Sequence, residues 1–401
     1  MATDHNSASR RSFLSLSAAA SAALAMRIVT EPMLARAKEH HPAAGAIMID
    51  SNENPLGPCT QAREAITAIA PQGGRYLDGL TEDLTKMVAE MEGLKTDYVT
   101  VHPGSTPPLH HVVCAFTSAH RSYVTADPGF EAGMFAVRAT NAPIVKVPLT
   151  KTYAHDVRAM AAIGTDAGVF YVCNPNNPTG TVTSHSDIEY LVEHKPKDSI
   201  VLVDEAYIHF SDAQSVVDLV RADKDVIVLR TFSKLYGMAG IRCGLALGRP
   251  DLLDKMYNYG GSNFMPITAL VAASASLKHT GLVAERKKIN ADIRARVFQW
   301  LDSNRYSYIP SQSNCFMLDT KRPAKEVIDA MAKQNVFIGR IWPLMPTYSR
   351  ITVGTQAEME EFQTAFKKVM TGSVTASVSS PRSRRQSHVD GVPIHRPAEL
   401  A

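Results

Sequence analysis

The middle of the chain alternates short apolar runs, rich in β-branched residues, with longer segments whose apolar positions repeat at helical spacing. Six of these runs predict strands: Tyr123–Ala126, Ile144–Val147, Val169–Cys173, Ile200–Val203, Val226–Leu229 and Cys243–Leu247. Strands that alternate with helices imply βαβ crossovers and a mostly parallel sheet. The runs are almost continuously apolar, which is typical of strands buried on both faces. The pattern therefore predicts an α/β fold.

Two segments show the helical pattern clearly. Ser184–Glu193 places Ile188, Leu191 and Val192 on one face, and Ala269–Leu301 is a longer helical stretch with a predicted break near His279–Gly281. After about residue 305 the pattern changes to a small α+β arrangement. Its predicted elements are strands Tyr306–Ile309, Cys315–Leu318, Val336–Ile338 and Arg350–Val353, and helices Ala324–Gln334 and Glu358–Met370.

The two ends differ in composition from the middle. Residues 9–25 read SRRSFLSLSAAASAALA, which matches a twin-arginine export signal, and Ala35-Arg36-Ala37 offers a peptidase site. The apolar run is too short to predict a stable membrane span. The protein is therefore predicted to be exported to the periplasm, or cytoplasmic if the signal does not function. Residues 372–401 are rich in Ser, Pro and Arg and predict a disordered tail.

These patterns divide the 401 residues into five parts. They are a signal and linker (1–46), an N-terminal segment (47–75), a large domain (76–300), a small α+β domain (301–371) and the tail (372–401). The net charge of +3, with no basic stripe, gives no prediction of nucleic-acid binding. The five widely spaced cysteines predict neither a metal site nor a disulfide framework.

Polar side chains follow the predicted strands, where an open α/β sheet binds its ligands. The turn NPNNPTG after Cys173 holds the amide of Asn177 at a strand end. Asp204 and Tyr207 follow the next strand in the stretch DEAY. A carboxylate at the end of an apolar strand needs a cation or a donor. A tight turn and a helix N-cap are the alternative interpretations of these two motifs.

The next strand is followed by Thr231, Ser233 and Lys234, and Arg242 comes eight residues after the lysine in a glycine-rich turn. Two hydroxyls and two cations suit a phosphate ester. Gly104-Ser105-Thr106 precedes a helical pattern, and small residues at a helix N-terminus expose backbone N–H groups to a phosphate, although an ordinary helix start gives the same pattern.

Together these groups match pyridoxal 5′-phosphate (PLP), which is anionic at one end and carries a ring nitrogen and a ring hydroxyl. A buried aspartate suits the ring nitrogen, a phenol and an amide suit the hydroxyl, and a lysine suits the aldehyde. Because Arg242 and other cations flank Lys234, the sequence also predicts a depressed pKa for this amine.

In NPNNPTG, VDEAY, TFSK and the arginine eight residues after the lysine, the chain resembles fold-type-I PLP-dependent aminotransferases, and most of all the histidinol-phosphate aminotransferase branch. The resemblance covers about residues 47–371. It implies a mostly parallel seven-stranded sheet with helices on both faces, a small C-terminal α+β domain, and a homodimer with shared active sites. It also implies transfer of an amino group between an amino acid, or an amino phosphate ester such as histidinol phosphate, and a 2-oxo acid.

The resemblance assigns a role to each candidate residue. Lys234 would form the Schiff base and move protons, Asp204 would pair with the ring nitrogen, and Tyr207 and Asn177 would contact the ring oxygen. Phe130 would stack on the ring where relatives more often have tyrosine. The phosphate would be held by Gly104, Ser105, Thr106, Thr231, Ser233 and Arg242, with Tyr76 reaching the phosphate of the neighbouring subunit.

The predicted substrate-binding motifs resemble the family less uniformly than the cofactor-binding motifs do. By the same resemblance Arg350, in SRITVGT, would bind the α-carboxylate of an amino acid or the phosphate of histidinol phosphate, and Arg340 would be a second anion-binding residue. Asn54 lies in the motif SNENPLG, which crosses the mouth of the site in this branch. The run Ile341–Pro346 is unlike histidine-pathway enzymes and suits an apolar substrate.

Two other functions use the same residues. A PLP-dependent decarboxylase or C–S lyase would need the same lysine and aspartate, and product analysis separates these activities from transamination. A non-catalytic PLP-binding protein is a more remote alternative, because residues 1–46 are too short and too alanine-rich for a DNA-binding module.

Overall fold

The structure is a computed structural model that describes residues 44–260 and 264–372. The predicted export signal and tail lie outside these residues, apart from residues 44–46 and 372. The strands are β1 (Ile47–Ile49), β2 (Val99–His102), β3 (Ser122–Asp127), β4 (Ile144–Pro148), β5 (Ala167–Cys173), β6 (Ile200–Asp204), β7 (Val226–Thr231), β8 (Gly244–Gly248), β9 (Ser307–Ile309), β10 (Cys315–Asp319), β11 (Val336–Ile338) and β12 (Tyr348–Thr352).

The α-helices lie between and around these strands. They are α1 (Thr60–Ile69), α2 (Gly79–Glu92), α3 (Thr106–Phe116), α4 (Ala132–Thr140), α5 (Val157–Ile163), α6 (His185–His194), α7 (Val217–Arg221), α8 (Pro250–Tyr257), α9 (Ile267–Lys278), α10 (Leu282–Ser303), α11 (Ala324–Ala332) and α12 (Gln356–Thr371). Among the described helices, none combines the length and the apolar composition that a membrane span needs; α9 and α10 meet both conditions only when taken together, as a pair bent by 85°.

Seven strands form the main sheet in the order β2-β8-β7-β6-β5-β3-β4. All neighbours in this sheet pair in parallel except β8, which runs antiparallel to both β2 and β7. Strands β5, β6, β7 and β8 are buried along their whole length. Both faces of the middle of the sheet are therefore covered, which confirms the predicted α/β class and accounts for the continuous apolar runs.

The second, smaller part contains the antiparallel sheet β12-β10-β9. Its core includes Phe316, Ile351 and Phe362, and α10 adds Val297 and Leu301 to it. Strand β1 pairs in parallel with β11, so the N-terminal segment joins the small sheet region rather than the large sheet. The division between the two domains near residue 300 stays a prediction, since α10 lies across it.

Local sequence explains several element ends. Ser184 caps α6 by accepting a hydrogen bond from the Asp187 backbone N–H, and Thr355 and Glu358 form a capping box at the start of α12. The predicted break in the long helical stretch is present, because α9 ends at Lys278 and α10 begins at Leu282.

Candidate active site

The carboxyl ends of β5, β6 and β7 lie side by side in the sheet, and each is followed by a candidate site residue. Asn177 follows β5, Asp204 ends β6 and Lys234 follows β7. Three residues far apart in sequence are thus brought to one edge of the sheet, as expected for a parallel arrangement.

Asp204 is buried, with 3% of its surface exposed. Its carboxylate accepts hydrogen bonds from the Tyr171 hydroxyl at 3.0 Å and from the Ala206 backbone N–H at 3.1 Å. Burial raises the pKa of Asp204 to about 6, although both hydrogen bonds and the nearby Lys234 oppose the shift. The carboxylate therefore lies in a place where a cationic partner would strongly favour its charged form.

Lys234 lies above the Tyr207 ring, with Nζ 5.7 Å from the ring centroid, and donates a 3.4 Å hydrogen bond to the Ser51 carbonyl. Burial, followed by the positive charge of Arg350, lowers the pKa of Lys234 to about 8. The predicted direction of the shift is therefore present, but its main causes are burial and Arg350 rather than Arg242. A neutral amine at this position is the form that attacks a carbonyl carbon.

Tyr207 is held by a residue that sequence reasoning missed. Asn52 Nδ2 donates hydrogen bonds to the Tyr207 hydroxyl and to Cys315 Sγ, both at 3.1 Å. Asn52 is buried, adopts a left-handed backbone conformation (φ 52°) and is fixed by Thr352, whose hydroxyl accepts from its backbone N–H at 2.9 Å. Burial raises the pKa of Tyr207, so the phenol keeps its proton. Asn52 stands in the quoted SNENPLG motif, but its partners are about 155 to 300 positions away.

Arg242, Thr231 and Ser233 form a compact polar group beside the start of α3. Arg242 donates to Ser233 Oγ at 3.2 Å and to the Pro103 carbonyl at 3.3 Å, and the Thr231 and Ser233 hydroxyls are 3.0 Å apart. Gly104 has φ +94°, and a Cβ there would lie 2.1 Å from Arg242 Nη2. Only glycine therefore lets this turn and the guanidinium approach each other.

The start of α3 offers an anion only a small number of backbone donors, because Pro107 and Pro108 carry no N–H. Ser105 is the N-cap of α3, and these prolines leave its side chain without a capping hydrogen bond; Thr106 is the first helical residue. The predicted phosphate residues before and at the start of α3 and after β7 therefore lie together, on two segments joined by Arg242.

Arg350 is buried in the same site. It donates to Asn177 Oδ1 at 2.9 Å and to the Asp50 carbonyl at 2.5 Å, whereas its Nε has no hydrogen-bond partner within the described residues. No ion pair joins it to a carboxylate in the part of the chain that the structure describes. A buried guanidinium bonded only to neutral acceptors is a strong receptor for an anionic ligand.

Arg340 and Trp342 lie beside Arg350. The two guanidinium carbons lie 4.9 Å (Arg340) and 5.6 Å (Arg350) from the centroid of the Trp342 ring. Unlike Arg350, Arg340 forms an ion pair with Glu131. Trp342 donates from Nε1 to the Gly129 carbonyl at 3.0 Å, so this loop is tied to the segment after β3 that carries Phe130.

The remaining candidates are placed less centrally. Asn54 donates to the Leu235 carbonyl at 2.8 Å and so holds the N-terminal segment against the lysine loop; its role toward a substrate stays a prediction. Phe130 is half-buried against the large core. Tyr76 is 69% exposed and stacks on Phe264 with ring centroids 4.5 Å apart, on the surface of this single chain.

Comparison with known proteins identifies the family. The aminotransferase class I and II family matches residues 45–366, which is most of the chain. The chain belongs to this family. It is 30% identical to a histidinol-phosphate aminotransferase from Moorella thermoacetica, over 81% of this chain and 85% of that protein. It is 32% identical to an aromatic amino acid aminotransferase from Cutibacterium acnes, over 82% of this chain and 93% of that protein.

A solved relative supports the same assignment. The histidinol-phosphate aminotransferase from Sinorhizobium meliloti, determined in complex with pyridoxal 5′-phosphate, is 26% identical, with a TM-score of 0.74 over 81% of this chain and 90% of that chain. The chain is therefore an enzyme, a PLP-dependent aminotransferase that acts on amino-acid and 2-oxo-acid substrates.

The residues of this aminotransferase fit its cofactor. The space that a Cβ at Gly104 would fill is bordered by Arg242, and Ser105 and Ser233 offer hydroxyls to a phosphate. Asp204 is a buried carboxylate without an ion-pair partner in the described part of the chain, which suits a protonated ring nitrogen. Lys234 supplies an amine with a depressed pKa, on which the charge of Asp204 acts.

Proposed function

We propose that Lys234 is the catalytic lysine of this aminotransferase and that Asp204, Tyr207 and Asn177 orient its cofactor. The observation that carries the proposal is the position of Lys234, whose amine lies over Tyr207 and whose pKa is lowered to about 8 at an edge of the sheet shared with Asp204. When bound, PLP supplies an electron sink for the substrate carbon atom that carries the amino group.

The protein groups then divide the work. Asp204 keeps the ring nitrogen protonated, because a cation next to this buried carboxylate replaces the solvation that it has lost. The neutral Lys234 amine would accept the proton that leaves the substrate carbon and hold it at Nζ. The phosphate would be held by Arg242, Ser105, Thr106, Thr231 and Ser233, next to the Gly104 turn.

Arg350 binds the anionic group of the substrate. Its Nε is buried and finds no hydrogen-bond partner among the described residues, and its guanidinium contacts Asn177, so an anion at this point lies beside the amide proposed to contact the cofactor. The substrate is an amino acid or an amino phosphate ester such as histidinol phosphate, and the acceptor is a 2-oxo acid.

The test is the visible absorption of purified, cofactor-loaded protein before and after addition of single amino donors, histidinol phosphate among them. A donor should remove the band of the lysine-bound cofactor, and a 2-oxo acid should restore it. Release of carbon dioxide or of a thiol, without recovery by any 2-oxo acid, would instead establish a decarboxylase or a C–S lyase. A band that no donor changes would contradict catalysis at this site.

We also propose that the enzyme is a homodimer in which Tyr76 reaches the neighbouring subunit's phosphate. The stacked Tyr76 and Phe264 rings support this, because both are more than 60% exposed in the single chain. Mixing two inactive variants, Lys234→Ala and Tyr76→Ala, should restore part of the activity through hybrid dimers. A monomer by light scattering, or no recovery on mixing, would contradict shared sites.

Finally, we propose export by the twin-arginine route, supported by Arg10 and Arg11 ahead of the alanine-rich run. The route carries folded proteins, which suits an enzyme that loads its cofactor before export. Replacing both arginines with lysine should keep the full-length protein in the cytoplasm. Equal periplasmic amounts of wild type and variant, or an intact N-terminus in the cytoplasm for both, would contradict the proposal.

A further inference from the structure

We propose that Glu131 limits the substrate site to amino donors and 2-oxo acids that carry a single anionic group. Glu131 does so by occupying Arg340, which would otherwise be a second anion receptor next to Arg350. This inference rests on the proposed function, because it takes the site around Lys234 and Arg350 to be the substrate site.

Arg340 and Arg350 are neighbours in space. The Arg350 backbone N–H donates to the Arg340 carbonyl at 3.3 Å, and both guanidiniums lie against the Trp342 ring. Burial and, to a smaller extent, the positive charge of Arg340 lower the pKa of Arg350, while the negative charge of Glu131 opposes this shift, so all three charges act on one region. Two free guanidiniums in this arrangement would suit a substrate with two anionic groups.

The two arginines differ in their partners. Among the described residues Arg350 donates hydrogen bonds only to the neutral oxygens of Asn177 and Asp50, whereas Arg340 is paired with the Glu131 carboxylate. The side chains of Arg340 and Glu131 are 25% and 15% exposed, so solvent screens this pair only in part. One positive charge, that of Arg350, is therefore left for the substrate.

Glu131 is held in the wall of the site. It directly follows Phe130, and the carbonyl of Gly129, two residues before it, accepts the hydrogen bond from Trp342 Nε1. A second substrate carboxylate that approached Arg340 would have to displace Glu131 and would then lie beside it. Like charges at such close range reject a ligand more effectively than a missing contact does.

We call this limit to one anionic group per substrate the single-anion rule, and two kinds of donor satisfy it. One is an amino acid whose side chain carries no negative charge, and the other is an amino phosphate ester whose phosphate is its only anionic group. Aspartate, glutamate and dicarboxylic 2-oxo acids do not satisfy it. The same limit applies to donor and acceptor, because both half-reactions use one site.

Calorimetric titration of the cofactor-loaded protein with valerate and glutarate tests the rule. These five-carbon acids differ by one carboxylate. Wild type should bind valerate more tightly than glutarate. Glu131→Gln should raise the affinity for glutarate about 10-fold or more and change the affinity for valerate by less than about 3-fold. Glu53→Gln is the matched control, because it removes a carboxylate whose charge acts on Lys234 without freeing Arg340.

The inference would be overturned if wild type bound glutarate more tightly than valerate, or if neither acid bound to any form. It would also be overturned if Glu131→Gln raised the affinity for both acids equally, or if Glu53→Gln raised the affinity for glutarate as selectively as Glu131→Gln. Turnover with phenylalanine, histidinol phosphate and glutamate then separates the two permitted donors. If no donor reacts while the binding pattern holds, the proposed function fails and the single-anion rule stands. If glutamate reacts as fast as the others in wild type, the rule fails and the proposed function stands.

Discussion

Arg350 donates a 2.9 Å hydrogen bond from its guanidinium to the side-chain oxygen of Asn177, across 173 positions of the chain. One residue lies on β12 of the small sheet and the other follows β5 of the large one. The bond joins the group proposed to bind the substrate anion to an amide proposed to contact the cofactor. A ligand that moves Arg350 therefore acts directly on Asn177, and the small and large sheets are joined at the proposed site.

Replacing Arg350 with lysine should separate substrate binding from cofactor binding. A lysine carries the charge but lacks the planar fork that can bind an anion and Asn177 together. We expect kcat/KM for the amino donor to fall about 100-fold, or about 3 kcal/mol, with the cofactor absorption band retained. The control is Arg63→Lys at an exposed position on α1. Unchanged kinetics in Arg350→Lys would show that the anion binds elsewhere.

Gly104→Ala should damage the phosphate site. The added Cβ would lie 2.1 Å from Arg242 Nη2, and the φ of +94° is strained for any residue with a side chain. We expect cofactor affinity to fall at least about 10-fold and the free energy of unfolding to fall by about 1–3 kcal/mol. Gly240→Ala, in the glycine-rich loop that carries Arg242, is the control, because a Cβ there meets nothing within 4 Å. Equal cofactor affinity in both variants would contradict the role of the turn.

Asp204→Asn should lower the activity of the enzyme and raise the stability of its cofactor-free form. Because the pKa of Asp204 is raised to about 6, the folded protein keeps a proton that the unfolded chain releases above its ordinary value of 3.8. The free energy of unfolding of the cofactor-free wild type therefore falls as the pH rises between these values, and this loss of stability remains at neutral pH. Asparagine does not titrate, and its one amide oxygen can still accept the bond from the Ala206 backbone N–H, while its amide nitrogen can donate to the Tyr171 hydroxyl.

We expect cofactor-free Asp204→Asn to be more stable than cofactor-free wild type at pH 7, by about 1–3 kcal/mol, with the difference vanishing below about pH 4. We expect its kcat to fall at least about 100-fold in the loaded form. Denaturant unfolding at several pH values and steady-state kinetics measure the two effects. A variant that is less stable than wild type at pH 7 would contradict the buried, unpaired state of this carboxylate.

Sequence reasoning reached the parts of the site that depend on strand ends. Asp204 follows an apolar run directly, and Asn177 and Lys234 follow their runs within five residues, so local pattern and the geometry of parallel sheets place them together. The antiparallel direction of β8 was not predicted, because the run before Gly248 has the same apolar composition as its parallel neighbours. Strand β2 was also missed; it is short, and one of its four residues is a histidine.

Contacts between residues far apart in sequence could not be predicted from the local sequence pattern. Asn52 reaches Tyr207 and Cys315 only after β1 has paired with β11 and the small sheet has docked. Glu131 faces Arg340 across 209 positions, and nothing in its local sequence distinguishes it from a solvated surface charge. Arg350 rather than Arg242 influences Lys234 because distance in space, not spacing along the chain, determines the electrostatic effect.

The pKa of Lys234 gives the last prediction. The rate at which cofactor-free protein combines with pyridoxal phosphate should rise with pH through a midpoint near 8, because only the neutral amine attacks the aldehyde. An ordinary lysine, with a pKa near 10.5, would leave the rate still rising well above pH 9.

Arg350→Gln removes the second cause of the lowered Lys234 pKa and should move the midpoint upward, whereas Arg63→Gln on the exposed face of α1 should not. The rate is measured by stopped-flow absorbance, and Lys234→Ala should give no band at any pH. A midpoint above 10 in wild type, or one that is the same in wild type and Arg350→Gln, would show that burial and Arg350 do not set the reactivity of this amine.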